Sequence, residues 1–359
     1  MEQHDTMDML ELLIRPAFCV ENGVVVRTNK AAQNRMIEVG SPISALLLTG
    51  QQEYTEFSGG CLYLTLTVAG TVQEASVVRM TPYDVFLLEE DTDHAQLRAM
   101  ALAAQNLREP LSSIMTVADR LFPLAEQLDD PNTRDHIARI NRGLFQMLRI
   151  LGNMSDADRY RSHSLFQQET HNATDYMQDL MERIITTTES TGVEIRFTNL
   201  REPVFCLLDT EKLERAIYNL ISNALKFTPV GGTIDVRLTC REQKLYLTVQ
   251  DTGRGIPDCQ RSSIYHRFRR DPGMEDSRQG IGLGMVLIRA AATAHSGTVL
   301  IDHPDEQGTR VTMTLAIRQS DGRTLRSPGF RVDYAGEWNH SLIELSESLP
   351  AELYRDTSE

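Results

Sequence analysis

The sequence lacks a long hydrophobic run, an excess of basic residues and any paired-cysteine motif. No apolar stretch reaches the roughly 18 residues of a membrane-spanning helix, so no membrane span is expected. The net charge of −14 argues against a general nucleic-acid-binding protein. The five cysteines form no Cys-x-x-Cys pair, which favours reduced, packed thiols. Because the acidic N-terminus also has no signal-peptide core, we predict a cytoplasmic protein.

A chain of 359 residues predicts two or three domains, and residues 10–90 have the pattern of a small sheet domain. Asn22-Gly23 joins two short apolar runs, as in a tight hairpin, and residues 29–39 could form a helix. Three later runs alternate between apolar and polar residues. The layout resembles a PAS-type sensor domain, although no diagnostic motif is present. A small α+β dimerisation module is the alternative.

Residues 92–158 change to a helical period. Apolar residues recur at steps of three and four in two runs, Leu97 to Leu121 and Ile137 to Met154, separated by a loop around Phe122-Pro123 and residues 129–132. The pattern predicts an antiparallel helical hairpin with a narrow apolar stripe. A lone hairpin would leave part of that stripe uncovered, so we predict a homodimer in which two hairpins form a four-helix bundle.

Residues 172–317 alternate between helical and strand patterns and predict an α/β sandwich with helices on one face of a mixed sheet. Helices are expected at 177–188, 211–226 and 285–294, and strands at 193–197, 204–209, 232–238, 244–250, 299–302 and 310–316. The polar tail at 318–359 has no chemical assignment, and it could pack on the body of the protein or form a short helix. The fold class is therefore α+β, with several domains.

Three motifs lie in this third unit: Asn219-Leu-Ile-Ser-Asn223-Ala-Leu-Lys226, Asp251-Thr-Gly253-Arg-Gly255 and Gly280-Ile-Gly282-Leu-Gly284. Each motif alone is weak, but together they resemble the ATP-binding domain of sensor histidine kinases, a fold shared with gyrase and the Hsp90 chaperone.

The resemblance implies a role for each matching residue. Asn223 would ligate Mg²⁺ through its amide oxygen, and Asn219 and Lys226 would approach phosphates; oxygen ligands suit this hard cation. Asp251 would accept a hydrogen bond from the adenine amine, and glycines at 253 and 255 would let the backbone approach the base. The three glycines at 280, 282 and 284 precede a helix, whose N-terminus suits a polyphosphate.

Residues 264–270 resemble the family's phenylalanine-containing box, and the polar stretch that follows would form a lid over ATP. By position, Arg270 could neutralise the γ-phosphate. A solvated basic cluster is the alternative.

The family's phosphate-accepting motif, His-Glu-Leu-Arg-Thr-Pro-Leu, is altered. The chain reads Gln105-Asn106-Leu-Arg-Glu109-Pro-Leu, and neither Gln105 nor Asn106 has a basic pKa suited to the chemistry. Glu109 would repel a phospho-aspartate partner. His94 and His136 are poor substitutes.

Our first hypothesis is an ATP- and Mg²⁺-binding, dimeric pseudokinase in two-component signalling, acting through a response regulator or another kinase. An active kinase that uses another histidine, or that phosphorylates a partner in trans, is the second hypothesis. A plain ATPase related to gyrase or Hsp90 is the third.

Overall fold

The computed structural model describes residues 10–11, 13–89, 92–126, 131–159, 168–255, 283–304, 308–319 and 339–354. Residues 13–89 form the N-terminal unit, 92–159 the helical hairpin, 168–319 the α/β unit and 339–354 the C-terminal segment.

The N-terminal unit is an antiparallel sheet in the spatial order β2-β1-β5-β4-β3. Its elements are β1 (Ala17–Glu21), β2 (Val24–Thr28), α1 (Lys30–Asn34), α2 (Ile43–Leu46), α3 (Gln51–Glu56), β3 (Cys61–Val68), β4 (Thr71–Met80) and β5 (Tyr83–Leu88).

The predicted turn is confirmed. Asn22 and Gly23 have φ values of 50° and 77° and lie between the paired residues Glu21 and Val24, as a two-residue hairpin requires. The predicted helix at 29–39 is shorter than expected. Asn29 caps α1, and positive φ at Met36 follows its end. Two further short helices precede β3, where the sequence indicated only one.

The helical hairpin consists of α4 (Thr92–Glu126) and α5 (Pro131–Arg159), which pack against each other. The helix α4 continues through Pro110 and through Phe122-Pro123 to Glu126, so the loop expected at 122–123 is wrong, and α5 already includes residues 131–132. No helix in the described part of the chain is long and apolar enough to cross a membrane.

The apolar residues of the hairpin divide between two faces. Leu111, Leu144 and Leu151 are buried in the main core. Other large apolar side chains are roughly half exposed: Leu107, Ile114, Val117, Ile140 and Met147. The single stripe expected from the sequence is therefore two stripes, and only the second is available to another molecule.

The α/β unit contains β6 (Glu169–Asn172), α6 (Ala173–Thr188), β7 (Glu194–Thr198), β8 (Phe205–Leu208), α7 (Thr210–Phe227), β9 (Thr233–Arg241), β10 (Lys244–Asp251), α8 (Gly284–Ala294), β11 (Val299–Asp302) and β12 (Arg310–Ala316). Its strands β7 and β9 are parallel and the other pairs are antiparallel, so the predicted mixed sheet is confirmed. The sequence did not indicate β6, which pairs with β8 in a separate ribbon.

The sheets of the N-terminal and α/β units are continuous. Strand β3 pairs antiparallel with β11, giving one ten-stranded sheet in the order β2-β1-β5-β4-β3-β11-β12-β10-β9-β7. Arg289 on α8 reinforces the junction: its guanidinium lies 4.2 Å from the centre of the Tyr63 ring and pairs with Glu89. The two units therefore share backbone hydrogen bonds as well as side-chain contacts.

The C-terminal segment packs between α5 and α7. It contains α9 (His340–Glu344) and a 3₁₀ turn, Ala351–Tyr354. Four of its apolar side chains are fully buried in the main core: Ile343, Leu345, Leu349 and Tyr354. Two possibilities were left open for the tail, packing on the body of the protein and a short helix. Residues 339–354 show both.

Candidate functional site

The helix α7 provides the central wall of the candidate site. Asp209 caps its N-terminus by accepting a hydrogen bond from the Lys212 N–H at 3.1 Å. His295 fixes the same end, because its Nε2 accepts from the Asp209 N–H at 3.0 Å and its Nδ1 donates to the Ala291 carbonyl at 2.7 Å. Burial lowers the pKa of His295, which keeps the imidazole neutral in this arrangement.

Asp251 ends the central strand β10 and is buried, at 7% exposure. Its Oδ1 accepts hydrogen bonds from the N–H groups of Gly253 at 2.9 Å and Thr309 at 3.2 Å. Burial raises the pKa of the carboxyl, and the two N–H donors partly oppose that rise. Because both donors use Oδ1, the carboxylate is held in one orientation and Oδ2 can accept from a ligand.

The loop after Asp251 contacts the end of α7. A Cβ on Gly253 would lie 2.4 Å from the carbonyl oxygen of Phe227, so glycine is required there by packing against the protein itself. Gly255 has a φ of +68°, which also favours glycine. The reason expected from the sequence, close approach of the backbone to a base, is therefore incomplete.

The start of α8 meets α7 from the other side. Gly284 is the first residue of α8, and a Cβ there would lie 3.0 Å from Asn219 Oδ1. Portions of all three sequence motifs thus converge on α7: Asn219 and Lys226 within it, the Asp251 loop at its C-terminal end, and Gly284 beside Asn219.

Asn219 does not face a ligand in this arrangement. The side chain is 2% exposed, its Nδ2 donates to the Arg215 carbonyl at 2.8 Å, and its Oδ1 lies 3.5 Å from Arg149 Nη2 on the helical hairpin. Asn223, one turn further along α7, is partly exposed. Lys226 Nζ lies 3.9 Å from Glu347 Oε2.

Some predicted site residues lie outside the described residues: Arg270, Gly280 and Gly282, together with the 264–270 box and the expected lid. The altered acceptor positions Gln105, Asn106 and Glu109 are exposed on α4. His136 is exposed on α5, and His94 lies in the first turn of α4.

Four residues that sequence reasoning missed complete the surroundings of α7: Arg149 on α5, His295 after α8, and Glu344 and Glu347 in the C-terminal segment. Arg215 pairs with Glu344, and both side chains are at most 1% exposed. Arg215 also contacts Asp156 at 2.9 Å. The one available signal was the apolar character of Leu342 and Leu345 in an otherwise polar tail.

Comparison with known proteins agrees with this arrangement. Residues 208–319 match the family described as histidine kinase-, DNA gyrase B-, and HSP90-like ATPase. Sensor histidine kinase WalK of Bacillus subtilis is 27% identical over 241 residues, covering 66% of this chain and 39% of WalK. The adaptive-response sensory kinase SasA of Gloeothece citriformis is 30% identical over 237 residues, covering 61% of this chain and 57% of SasA.

Over residues 208–319 the chain matches the histidine kinase-like ATPase family, and over about 240 residues it is similar to sensor histidine kinases. A solved structure of full-length ShkA in complex with AMPPNP has a TM-score of 0.49 and 18% identity, with coverage of 62% of this chain and 46% of ShkA. The chain spans less than two thirds of the length of each of these histidine kinases and of ShkA. Residues 208–319 are called the ATPase domain below.

Proposed function

We propose that this histidine kinase homologue binds ATP and Mg²⁺ and acts as a pseudokinase regulator, without accepting phosphate at position 105. ATP would serve as a conformational ligand. Output would pass through a partner, either a response regulator or another kinase.

The observation that carries this proposal is the convergence of the three motifs on α7. The fixed Asp251 carboxylate presents Oδ2 as an acceptor for the adenine amine, and the end of α7 packs directly against its loop. Gly284 brings the N-terminus of α8, where backbone N–H groups favour anions, next to α7. The Asp251 carboxylate would accept from a purine amine, and the backbone N–H groups at the start of α8 would donate to the phosphates linked to that purine.

The residues present fit Mg²⁺ in part. Asn223 is partly exposed and offers an amide oxygen, the kind of ligand that a hard cation binds, and Mg²⁺ commonly takes its remaining ligands from water and substrate phosphates. Asn219 does not fit while it is buried against Arg215 and Arg149. A nucleotide-bound state would therefore require a change around Asn219.

The absence of a phosphate-accepting histidine at position 105 supports the proposal that the protein is a pseudokinase. The amide of Gln105 is not a nucleophile at neutral pH, and Asn106 supplies no base to activate one. Both side chains are exposed on α4, so their surroundings offer no burial that would change this chemistry.

The partners follow from the hairpin and the N-terminal unit. The exposed apolar residues on α4 and α5 favour a second copy of the chain, which would complete a four-helix bundle. The N-terminal unit at 10–90 would be a PAS-like sensory domain. Its sheet adjoins the ATPase domain through β3 and β11, so a signal could reach that domain without passing along the hairpin.

Calorimetric titration of the full chain with Mg·ATP tests the proposal. We expect binding in the micromolar range or weaker. Asp251→Asn places an amide donor opposite the adenine amine and should weaken binding by roughly tenfold or more. Because burial already disfavours the Asp251 charge, this variant should still fold. Asp179→Asn, an exposed change on α6, is the matched control. A full chain that binds no nucleotide contradicts the proposal.

A further inference from the structure

The C-terminal segment contacts the hairpin through its backbone and the ATPase domain through its side chains. On the α5 side, Asn141 Nδ2 donates to the Tyr354 carbonyl at 2.9 Å, and Arg142 donates to the carbonyls of Ser346 and Glu347, each at 3.1 Å. These hydrogen bonds hold the turn that follows α9.

Contacts with α7 hold the opposite side of the same segment. Tyr218 Oη lies 2.7 Å from Ser341 Oγ, the Tyr218 ring stacks on His340, and Ser348 Oγ donates to the Ser222 carbonyl at 3.3 Å. Because the segment binds both helices at once, α7 cannot move away from α5 without breaking these contacts.

Glu347 lies between two cations that come from different units. Its Oε2 is 3.5 Å from Arg149 Nη1 on the hairpin and 3.9 Å from Lys226 Nζ on α7. Both cationic side chains are at most 9% exposed, whereas the Glu347 side chain is 22% exposed. Two poorly hydrated cations form an anion site, which a carboxylate on the edge of the segment now fills.

We propose that Arg149 and Lys226 form a phosphate-binding site which Glu347 fills in competition with nucleotide, so that the segment 339–354 is an internal inhibitor of the ATPase domain. This inference rests on the proposed function. A nucleotide phosphate carries more negative charge than one carboxylate, and it would displace Glu347 from the two cations. Arg149, which lies outside the three motifs, would then contact a phosphate from the hairpin side.

The burial of Asn219 belongs to the same proposed inhibition by the segment 339–354. While the segment keeps α7 against α5, the Asn219 carboxamide is held by Arg149 and by the Arg215 carbonyl. Release of the segment would free Arg149 and Asn219 together. Inhibition would thus act on both Arg149 and Asn219, although the Glu347 carboxylate itself pairs with Arg149 and Lys226.

The test measures nucleotide affinity of the full chain by calorimetry in wild type and Glu347→Gln. We expect Glu347→Gln to bind Mg·ATP roughly two- to tenfold more tightly, because the competing charge is gone. Adenosine, which has no phosphate, should bind both proteins equally. Glu352→Gln removes an exposed carboxylate from the same segment and should bind Mg·ATP like wild type.

Amide hydrogen exchange gives a second readout on unmodified protein. Since coupling is reciprocal, saturating Mg·ATP should accelerate exchange at residues 345–349, and adenosine should not. Equal Mg·ATP affinity in wild type and Glu347→Gln, or exchange that ATP leaves unchanged, overturns the inference while ATP binding itself stands. If neither protein binds Mg·ATP or adenosine, the proposed function is wrong and the inference falls with it.

Discussion

Lys244 of the ATPase domain forms a two-point ion pair with Glu53 of the N-terminal unit, with Nζ–O distances of 2.6 and 2.9 Å. Lys244 begins β10 and Glu53 lies on α3, so the pair connects the two units on a different element from the β3–β11 junction. Together the two contacts resist rotation of one unit against the other. A structural change in the N-terminal unit would therefore be transmitted to the central strands of the ATPase domain.

The partners of this pair differ in burial, which predicts unequal effects of mutation. Glu53 is 8% exposed and Lys244 is 22% exposed. Lys244→Met should lower the free energy of unfolding by about 1–3 kcal/mol, because it leaves a buried carboxylate without its cation. Glu53→Gln should cost less, since the long lysine side chain can turn its ammonium towards water. Urea unfolding of both variants measures the difference.

Glu194→Gln is the control for this experiment, because Glu194 pairs with Arg196 on the surface of β7 and should show almost no change. Equal losses for Lys244→Met and Glu53→Gln would contradict the assignment of Glu53 as the buried partner.

Sequence patterns predicted where the strands of the ATPase domain begin and end, but they did not predict that its sheet pairs with a strand of the N-terminal unit. Strands at 299–302 and 310–316 lie where their apolar alternation indicated. The pairing of β3 with β11 was missed, because periodicity records which face of a strand is buried and carries no information on a partner more than two hundred residues away.

The site shows the same division between local and distant information. The three motifs were grouped by their family resemblance, and the Asp251 loop and Gly284 both lie against α7. The motifs could not show that Asn219 is buried by Arg149, or that Glu347 approaches Lys226, since those contacts depend on how the hairpin and the tail pack.

His295 makes stability depend on pH. Burial lowers its folded pKa below the ordinary value of 6.5, so the unfolded chain binds the proton more readily. The stabilisation is fully present above about pH 6.5 and should be lost as pH falls through that value towards the folded pKa. Unfolding free energies measured between pH 8 and pH 5, in steps of roughly one unit, should decline more steeply in wild type than in His295→Gln.

The glutamine variant should also be less stable at pH 8 by about 1–3 kcal/mol, because the hydrogen bonds to Asp209 and Ala291 are weakened. His136→Gln, at an exposed position on α5, should keep the wild-type slope. If His295→Gln keeps that slope as well, His295 is not the group responsible.

The proposed dimer depends on the outward face of the hairpin. Ile114 and Ile140 are 54% and 55% exposed, so replacing both by lysine should charge the interface without disturbing the fold. We expect a folded monomer by sedimentation and circular dichroism. Leu144→Lys should instead unfold the protein, since Leu144 is 4% exposed within the main core.

Ile14→Lys is the matched control, because Ile14 is 87% exposed on the N-terminal unit. It should leave the dimer intact. A wild-type chain that sediments as a monomer at tens of micromolar would contradict the four-helix bundle.

The proposed loss of self-phosphorylation rests on Gln105 and Asn106. Wild type incubated with γ-labelled ATP should gain no acid-labile label, because no imidazole occupies the acceptor position. The double change Gln105→His with Asn106→Glu supplies both nucleophile and orienting carboxylate on an exposed part of α4, where neither addition disturbs packing. We expect this variant to gain acid-labile label if the hairpin retains the geometry of an active kinase.

The single change Gln105→His separates the two roles, since it should label more slowly than the double variant when the carboxylate is needed to orient the imidazole. Label on wild type that disappears in His94→Ala or His136→Ala would instead reveal a relocated acceptor and an active kinase. Absence of label in every variant, with ATP still bound, would mean that the ATPase domain no longer delivers the γ-phosphate to α4.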